Sequence, residues 1–255
     1  MKIGWISGCV VALCLASLAQ GRELAALRES TQVLVVTTQD WKGVVGTLQA
    51  YERPHARKRW KAVGDPIPVV VGKNGLGWGA GVAPDDGRRV AGDPVKKEGD
   101  GKSPSGIFRL GTAFGYAAQG QPGWKMPYVI LTPSLECVDD ARSKFYNLVV
   151  DRAAVAVDWS SSEQMLRPDG LYRWGVVVDH NADPVTAGGG SCIFLHIWLG
   201  LGVGTTGCTA MAQEQLEALL ARLDPARRPL LVQLPRPQYK KLRRHWKLPK
   251  LIQLR

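Results

Sequence analysis

The chain has 255 residues, of which 45% are apolar, and its formal net charge is +11. This length and apolar content allow one sizeable hydrophobic core and do not require two domains. The 29 glycines and 16 prolines favour many short strands and turns and disfavour a helix bundle.

Residues 1–20 have the layout of a secretory signal peptide. One early lysine precedes an apolar run, and a Ser-x-Ala pattern predicts cleavage near Ala19 or Gln20. The alternatives are an uncleaved membrane anchor and, from ISGC at 6–9, a lipid-attachment box, although the apolar run follows that box here. We expect cleavage and export to the periplasm or envelope of a bacterium. No second long apolar segment follows, so a soluble mature protein is expected.

The first half of the mature chain is predicted to form short strands. RELAALREST (22–31) is a short helix or a mobile leader. Strands are predicted in TQVLVVTTQD (31–40) and GVVGTLQAYER (43–53), joined as a hairpin. RKRWKAVGDPIPVVVGKNGLGWG (57–79) predicts a further pair of strands around Gly-Asp-Pro, ending at an Asn-Gly turn. A polar, glycine-rich loop then leads to a short strand around Ile107–Leu110.

The second half alternates strands and turns, with a short helix near SSEQMLR (161–167). Buried strands are predicted in RWGVVVDHN, SCIFLHIWL and PLLVQLP (173–181, 191–199 and 229–235). AQEQLEALLARLD (212–224) has leucine and alanine at helical spacing and is predicted to be a helix. The expected fold class is therefore mainly β with one or two helices.

The segment 236–255 is a basic tail that follows a single domain over 21–235. Residues 235–255 carry eight Lys or Arg and no acid. Tyr239, Leu242 and Trp246 fall on one face of a possible helix, which either lies on a membrane surface or packs on the core with a solvated basic face. We favour the packed helix.

The positive charge indicates an anionic partner. A strongly basic exported protein can meet anionic lipid, nucleic acid or an acidic polymer. Export and the lack of a recognisable reader motif argue against nucleic acid. An anionic cell-wall polymer or membrane surface is therefore the expected partner of the charge.

Three cysteines remain after cleavage: Cys137, Cys192 and Cys208. An odd number in an oxidising compartment leaves either one thiol free or all three. If one pair forms, a Cys137–Cys192 disulfide would spare Cys208.

The stretch GVGTTGCTAM (202–211) places Cys208 after Gly207, and His196 lies twelve residues upstream on a predicted strand. A thiol needs a base or a field that favours the thiolate. The N-terminus of the following helix is expected to supply that field, and N–H groups of Cys208 and its predecessors could hold an oxyanion. The alternatives are a buried small residue and a satisfied core histidine.

Other candidate site residues lie near the strand at 173–181. His180 or Asn181 could orient His196 or bind substrate, although a turn-forming Asx group is an equal alternative. Tyr172 and Trp174 could form a substrate wall, but aromatic core positions are the better interpretation. There is no CxxC or HExxH motif, so a metal site is not expected.

Three segments carry a family resemblance: EGDGKSPSGIFRLGTAFGY (98–116), IFLHIW (193–198) and TTGCTAM (205–211). They resemble, in that order, the Lys-[Thr/Ser]-Pro-x-Gly-x-Phe segment, the histidine strand and the nucleophile motif of the L,D-transpeptidase catalytic domain family of the YkuD type. The resemblance runs from about Val33 to Leu234. It implies a β-sandwich or barrel-like catalytic domain.

The resemblance also implies roles and a reaction. Cys208 matches the nucleophile, His196 the base and Gly207 the glycine before the cysteine, with the backbone at Thr206 and Gly207 supporting an oxyanion. The implied activity is a peptidoglycan-directed acyl transfer, in which a stem peptide forms an acyl-enzyme that is passed to an amine without any cofactor.

The sequence departs from the family pattern at three positions. Thr206 stands where the familiar motif has histidine, Ala210 where Arg or Asn is usual, and Ile197 where many members have Gly or Ser. Two alternatives therefore stay open. One is an L,D-carboxypeptidase or amide hydrolase with the same Cys/His pair, and the other is a catalytically inert wall-binding module.

Overall fold

The computed structural model describes residues 26–82 and 89–252. The predicted signal peptide, its cleavage site and the start of the predicted segment 22–31 lie outside the described residues. Within the described ranges, no helix has the length and apolar character needed to cross a membrane.

The described residues are mainly β, which confirms the predicted fold class. The strands are β1 (Gln32–Thr38), β2 (Val45–Glu52), β3 (Lys61–Val70), β4 (Leu76–Trp78), β5 (Ser103–Gly115), β6 (Tyr128–Ile130), β7 (Leu135–Val138), β8 (Val149–Asp151), β9 (Ser162–Gln164), β10 (Trp174–Val178), β11 (Phe194–Ile197), β12 (Thr209–Met211) and β13 (Leu230–Pro235). The helices are α1 (Gln213–Arg222) and α2 (Arg236–Leu242), with a 3-10 turn at Pro225–Arg227 and helical residues at 26–29.

Eight strands close into a barrel, as expected. Their order is β10-β11-β12-β3-β2-β1-β13-β5, and β5 pairs back with β10. β1, β2 and β3 form an antiparallel meander, while β1 pairs in parallel with β13 and β11 pairs in parallel with β12. β12 and β3 meet through one residue pair, Ala210 and Val70, so the barrel is closed there by a short contact.

Three sequence predictions of local structure were wrong. The Gly-Asp-Pro stretch is not a turn, because Lys61–Val70 is one strand in which Gly64 takes a φ of +68° beside a register shift between Leu48 and Ala50. The strand predicted around Ile107–Leu110 is 13 residues long. The segment 161–167 forms no helix; its residues Ser162–Gln164 are strand β9, whose backbone pairs with β7.

The predicted late helix forms as α1. Its Leu216, Leu219 and Leu220 are buried, and the helix packs on β10 and β11. Each buried leucine contributes about 1.5–3 kcal/mol of hydrophobic free energy. Glu214 in the first turn and Arg222 in the last complement the helix dipole.

The basic tail packs on the barrel through its apolar side chains. Tyr239, Leu242 and Trp246, which would face a membrane in the surface-helix interpretation, are all buried. α2 contacts β13 and β1, and the Tyr239 hydroxyl donates to the Pro249 carbonyl at 3.0 Å. These side chains are therefore not available for insertion into lipid.

A smaller sheet, ordered β8-β7-β9, lies beside the barrel and is joined to it by a disulfide. The disulfide links Cys137 on β7 to Cys192, which precedes β11, and leaves Cys208 as a free, buried thiol. This is the pairing that would spare Cys208. It ties the small sheet to the chain that enters β11.

Candidate active site

Two parallel strands bring His196 and Cys208 to the same pocket. The register aligns Leu195 with Thr209 and His196 with Ala210, so Cys208 lies beside Phe194. Side chains alternate along a strand, so Phe194 and His196 lie on one face, and Cys208 joins them there. Cys208 and His196 both line a pocket of about 170 Å³.

The Cys208 thiol is buried and neutral at rest. The Phe194 N–H donates to its sulfur at 3.3 Å, and the thiol donates to the Cys192 carbonyl at 3.4 Å. Burial raises the pKa of Cys208 to about 12, and the negative charge of Glu163 acts in the same direction. The side chain is 5% exposed, so a substrate can reach it only through the pockets that meet there.

The expected helix-terminus field does not act on Cys208. α1 begins at Gln213, and β12 lies between Cys208 and the helix. An extended strand rises about 3.3 Å per residue, whereas the helix dipole acts mainly within about one turn of the terminus. Burial therefore dominates the thiol pKa, and the sequence expectation of a lowered pKa was wrong.

His196 is held as a neutral base by its own backbone neighbourhood. Its Nδ1 lies 2.7 Å from the Ile197 carbonyl oxygen. A carbonyl can only accept, so Nδ1 carries the proton and Nε2 keeps the lone pair. Burial lowers the pKa of His196 to about 4. The Ile197 side chain plays no part in this contact.

Hydroxyl groups anchor the backbone of the nucleophile. Ser103 Oγ donates to the Cys208 carbonyl at 2.8 Å and accepts the Gly72 N–H at 2.8 Å. Thr205 Oγ1 also donates to the Cys208 carbonyl, at 2.6 Å, and accepts the Gly207 N–H at 3.1 Å. The family-like segment 98–116 thus contacts the nucleophile directly through Ser103.

The backbone donors near Cys208 differ in availability. Because the Gly207 N–H is bonded to Thr205, it is not a free donor, contrary to the expectation that it would support an oxyanion. Among the described residues, the N–H groups of Thr206 and Cys208 donate to no acceptor. Thr206 also lines the pocket beside Cys208. These two N–H groups are therefore the available donors.

Sequence reasoning missed a partly buried acid beside the thiol. Glu163 Oε1 accepts the Tyr172 hydroxyl at 2.6 Å and the Arg167 guanidinium at 3.3 Å. Burial raises the pKa of Cys208, and the nearby Tyr172 hydroxyl acts in the opposite direction with a smaller effect. Burial raises the pKa of Glu163. Nothing in the sequence placed Glu163 near Cys208. Its segment was predicted to be a helix.

Tyr172 lies in the site as well as in the aromatic core. Its ring meets the His196 ring edge-on at 5.1 Å and packs against Phe114 and Phe194. Arg167, bonded to Asp169, lies over the Tyr172 ring at 5.2 Å. Tyr172 therefore fits both interpretations: it lines the pocket at Cys208, and its ring packs in the aromatic core.

A second and larger pocket, of about 500 Å³, also reaches Cys208. The two pockets share Glu163, Arg167, Thr206 and Cys208. The rest of the first is largely apolar, with Leu171, Trp198, Leu199 and Val203. The rest of the second is largely polar, with Lys96, Glu98, Asp139, Ser162, Gln164 and Ser191. The thiol therefore lies where an apolar and a polar pocket meet.

His180 and Asn181 are placed outside both pockets. The His180 ring nitrogens lie 3.2 Å from the Ala80 carbonyl and 3.0 Å from the Gly189 carbonyl. The Asn181 amide donates to the Thr186 carbonyl at 2.8 Å and accepts the Thr186 N–H at 2.8 Å. These contacts hold a loop, and the Ile197 carbonyl, not His180 or Asn181, orients His196.

Trp174 is a core residue. It packs edge-on against Trp124 at 4.9 Å, and its Nε1–H donates to Glu217 on α1 at 2.9 Å. It lines neither pocket at Cys208.

Within residues 26–82 and 89–252, no group of three or more His, Cys, Asp or Glu side chains is placed to hold a metal ion.

Comparisons with known proteins give one family match. A family profile described as the L,D-transpeptidase catalytic domain matches residues 46–232. No curated protein sequence matches the chain significantly. A matching solved structure is the helical cell shape determining protein Pgp2 from Campylobacter jejuni, at 15% identity and a TM-score of 0.37. The match covers 84% of this chain and 54% of that one, so this chain spans about half its length.

Proposed function

This chain belongs to the L,D-transpeptidase catalytic domain family, and from that premise we propose that it is a peptidoglycan-directed cysteine acyltransferase. The observation that carries the proposal is the meeting of Cys208 and His196 at one pocket on paired strands. Retention of a thiol and an imidazole with a free Nε2 supports acyl transfer over an inert wall-binding module.

In the first half-reaction, Cys208 attacks a stem-peptide carbonyl at an L-configured centre. The thiol proton passes to His196 Nε2 as the sulfur–carbon bond forms. The tetrahedral oxyanion is held by the N–H groups of Thr206 and Cys208. The carbon–nitrogen bond then breaks, and His196 returns the proton to the leaving D-amino acid. A thioester on Cys208 results, and no cofactor takes part.

In the second half-reaction, an amine from another stem peptide attacks the thioester. His196 takes the amine proton, the carbon–sulfur bond breaks, and the proton returns to the Cys208 sulfur. Water in place of the amine would release a trimmed peptide. The polar pocket beside Cys208 supports transfer, because its Glu98, Asp139 and Glu163 carboxylates can accept hydrogen bonds from an incoming amine, beside the cations Lys96 and Arg167 that also line it.

The neutral resting pair shapes the timing of proton transfer. With the pKa of Cys208 raised to about 12 and that of His196 lowered to about 4, a standing thiolate–imidazolium pair is disfavoured. Proton transfer to His196 therefore accompanies attack on the carbonyl. The resting thiol is protected from oxidation for the same reason, because the thiolate is the reactive form.

We further propose that the protein acts in the bacterial cell envelope after export directed by residues 1–20. Residues 21–235 form the catalytic domain, and the basic segment 236–255 faces anionic wall or membrane material. Its predicted partners are peptidoglycan stem peptides. The high positive charge of the chain, +11, suits such surroundings.

The test is intact-protein mass spectrometry of the mature protein mixed with purified tetrapeptide stems. We expect a mass increase equal to the stem minus its terminal D-amino acid. Cys208→Ala should abolish the adduct, and His196→Gln should slow its formation by several orders of magnitude. Lys144→Gln, an exposed position that lines neither pocket at Cys208, serves as the control.

Products from the same mixture separate the alternatives. Cross-linked dimer supports transfer, and a shortened stem without dimer shows the hydrolase with the same Cys/His pair. Unchanged stems with no adduct, at more than one stem length, would refute acyl transfer and leave a wall-binding module.

A further inference from the structure

A separate cavity of about 500 Å³ lies away from Cys208 and is lined by positive charge. Its walls come from the helical residues at 26–29, the loop between β2 and β3, and the chain after α2. The lining includes Arg28, Arg53, Arg57, His245 and Lys247. Among the described residues that line it, there is no Asp or Glu.

The charge arises from two acid-free stretches that only the fold brings together. Residues 53–61 hold five Lys or Arg and no acid, and residues 236–250 hold seven Lys or Arg and no acid. They are separated by most of the domain in sequence. A cavity with low-dielectric walls focuses the potential of such charges and concentrates anions.

Arg53 supplies a fixed cation at the wall of this cavity. It is 8% exposed, and its guanidinium donates to the backbone carbonyls of Leu27, Arg28, Ser30 and Ala56 at 2.7–3.0 Å. The Trp60 ring lies 4.1 Å from its central carbon. No described carboxylate forms an ion pair with it, so carbonyl dipoles and the Trp60 ring hold the guanidinium while its net positive charge is not neutralised by an acid.

Three further cations keep their donors available. Arg28, Arg57 and Lys247 are exposed, and their side chains form no hydrogen bond or ion pair within the described part of the chain. Lys247 also takes a φ of +54°, a left-handed conformation that glycine adopts more readily. Their exposed donors can therefore reach an anion that enters the cavity.

The chemistry of these donors matches a phosphate ester. Guanidinium groups donate in a planar fork that suits phosphate oxygens, and an ammonium adds a point charge. A volume of about 500 Å³ can hold more than the phosphate itself. The apolar wall residues Leu27 and Trp246 are only 7% and 4% exposed, so no apolar side chain projects from the cavity into a bilayer.

We propose that this cavity is an anion-binding site for a phosphate ester, held by Arg28, Arg57 and Lys247 over the fixed charge of Arg53. The ester is either a soluble envelope phosphodiester or the headgroup of an anionic lipid, and both present the same group to the cavity. The site shares no residue with the pockets at Cys208. It would hold the enzyme near anionic envelope material while the catalytic pockets remain open.

The test measures binding of defined probes to the mature full-length protein by calorimetry. The probes are inorganic phosphate, glycerol 3-phosphate and a poly(glycerol phosphate) oligomer, with glycerol as the uncharged control. Phosphatidylglycerol vesicles, compared with phosphatidylcholine vesicles by co-sedimentation, distinguish the lipid source. The variant is Arg57→Gln/Lys247→Gly, in which glycine suits the left-handed backbone. The charge-matched control is Lys42→Gln/Lys144→Gln, whose lysines are exposed and lie outside the cavity.

We expect phosphate esters to bind the wild type and the control alike, and to bind the cavity variant about tenfold or more weakly. Acyl-enzyme formation at Cys208 should be unchanged in both variants. The proposal is overturned if the two variants lose equal affinity, if no phosphate probe binds at millimolar concentration, or if only vesicles bind and do so independently of the cavity residues.

Discussion

Ser103→Ala is expected to damage both stability and catalysis, because one hydroxyl serves two buried backbone groups. Ser103 Oγ donates to the Cys208 carbonyl and accepts the Gly72 N–H, each at 2.8 Å. A Cβ placed on Gly72 would lie 2.4 Å from the Gly101 carbonyl oxygen, so the backbone there is tightly packed. Water therefore has little room to replace the hydroxyl.

The magnitude follows from the two lost bonds. A buried N–H left without an acceptor costs about 1–3 kcal/mol, and the lost donation to the Cys208 carbonyl adds about 1 kcal/mol. Thr205 Oγ1 still donates to that carbonyl at 2.6 Å, which limits the second cost. The free energy of unfolding should fall by about 2–4 kcal/mol in total.

Ser105→Ala is the matched control on the same face of β5. Ser105 is also fully buried, but its hydroxyl forms one bond, a donation to the Gln233 carbonyl at 2.9 Å. Its loss should cost about 1 kcal/mol and leave the nucleophile in place. Urea unfolding gives the stabilities, and the rate of acyl-adduct formation reports the position of Cys208.

We expect acylation to slow about tenfold or more in Ser103→Ala and to be unaffected in Ser105→Ala, because small displacements of a reacting atom are costly. Equal losses of stability in the two variants, with equal acylation rates, would refute the reasoning that Ser103 positions the nucleophile.

Three further predictions follow from the charges and crosslink around the site. Glu163→Gln removes a negative charge that raises the pKa of Cys208, so iodoacetamide should alkylate the thiol faster at neutral pH; an unchanged pH–rate profile would contradict this. Reducing the disulfide, which spans 55 residues, should lower the free energy of unfolding by about 4 kcal/mol, measured in urea with and without a phosphine reductant; an unchanged urea midpoint would count against it. Burial lowers the folded-state pKa values of His180 and His196 to about 4, below the unfolded value of about 6.5. Between these two pH values the unfolded chain binds more protons than the folded chain. Their stabilising effect is complete above pH ~6.5 and declines by about 1.4 kcal/mol per pH unit for each residue; a urea midpoint that does not fall between pH 7 and pH 5 would show that this effect is absent.

Local sequence pattern was sufficient for most of the elements. Short apolar runs located β1, β10, β11 and β13, and leucine spacing located α1. Strand and helix periodicities are local properties, so no tertiary contact is needed to detect them. The errors fell where a partner strand decides the outcome. Gly64 forms a bulge only because β2 continues beside it, and Ser162–Gln164 is extended only because β7 offers its edge.

The sequence also determined the residue types of the candidate site. Sequence identified His196 and Cys208 from their spacing and from the motif around each, and the structure places both at one pocket. Tertiary structure decided how the pair is set. The Ile197 carbonyl selects the His196 tautomer, and burial raises the thiol pKa. Backbone contacts and burial depend on the whole fold, so no local pattern reports them.

Only the tertiary structure determined the features built from distant segments. Glu163 and Tyr172, which are hydrogen-bonded to each other, line one pocket with Cys208 although Cys208 comes from a distant part of the chain. Cys137 and Cys192 are 55 residues apart and become partners because the small sheet lies beside β11. The basic cavity likewise forms where Arg57 meets Lys247. Sequence sets the charge and chemistry of each side chain, but closure of the barrel decides which side chains become neighbours.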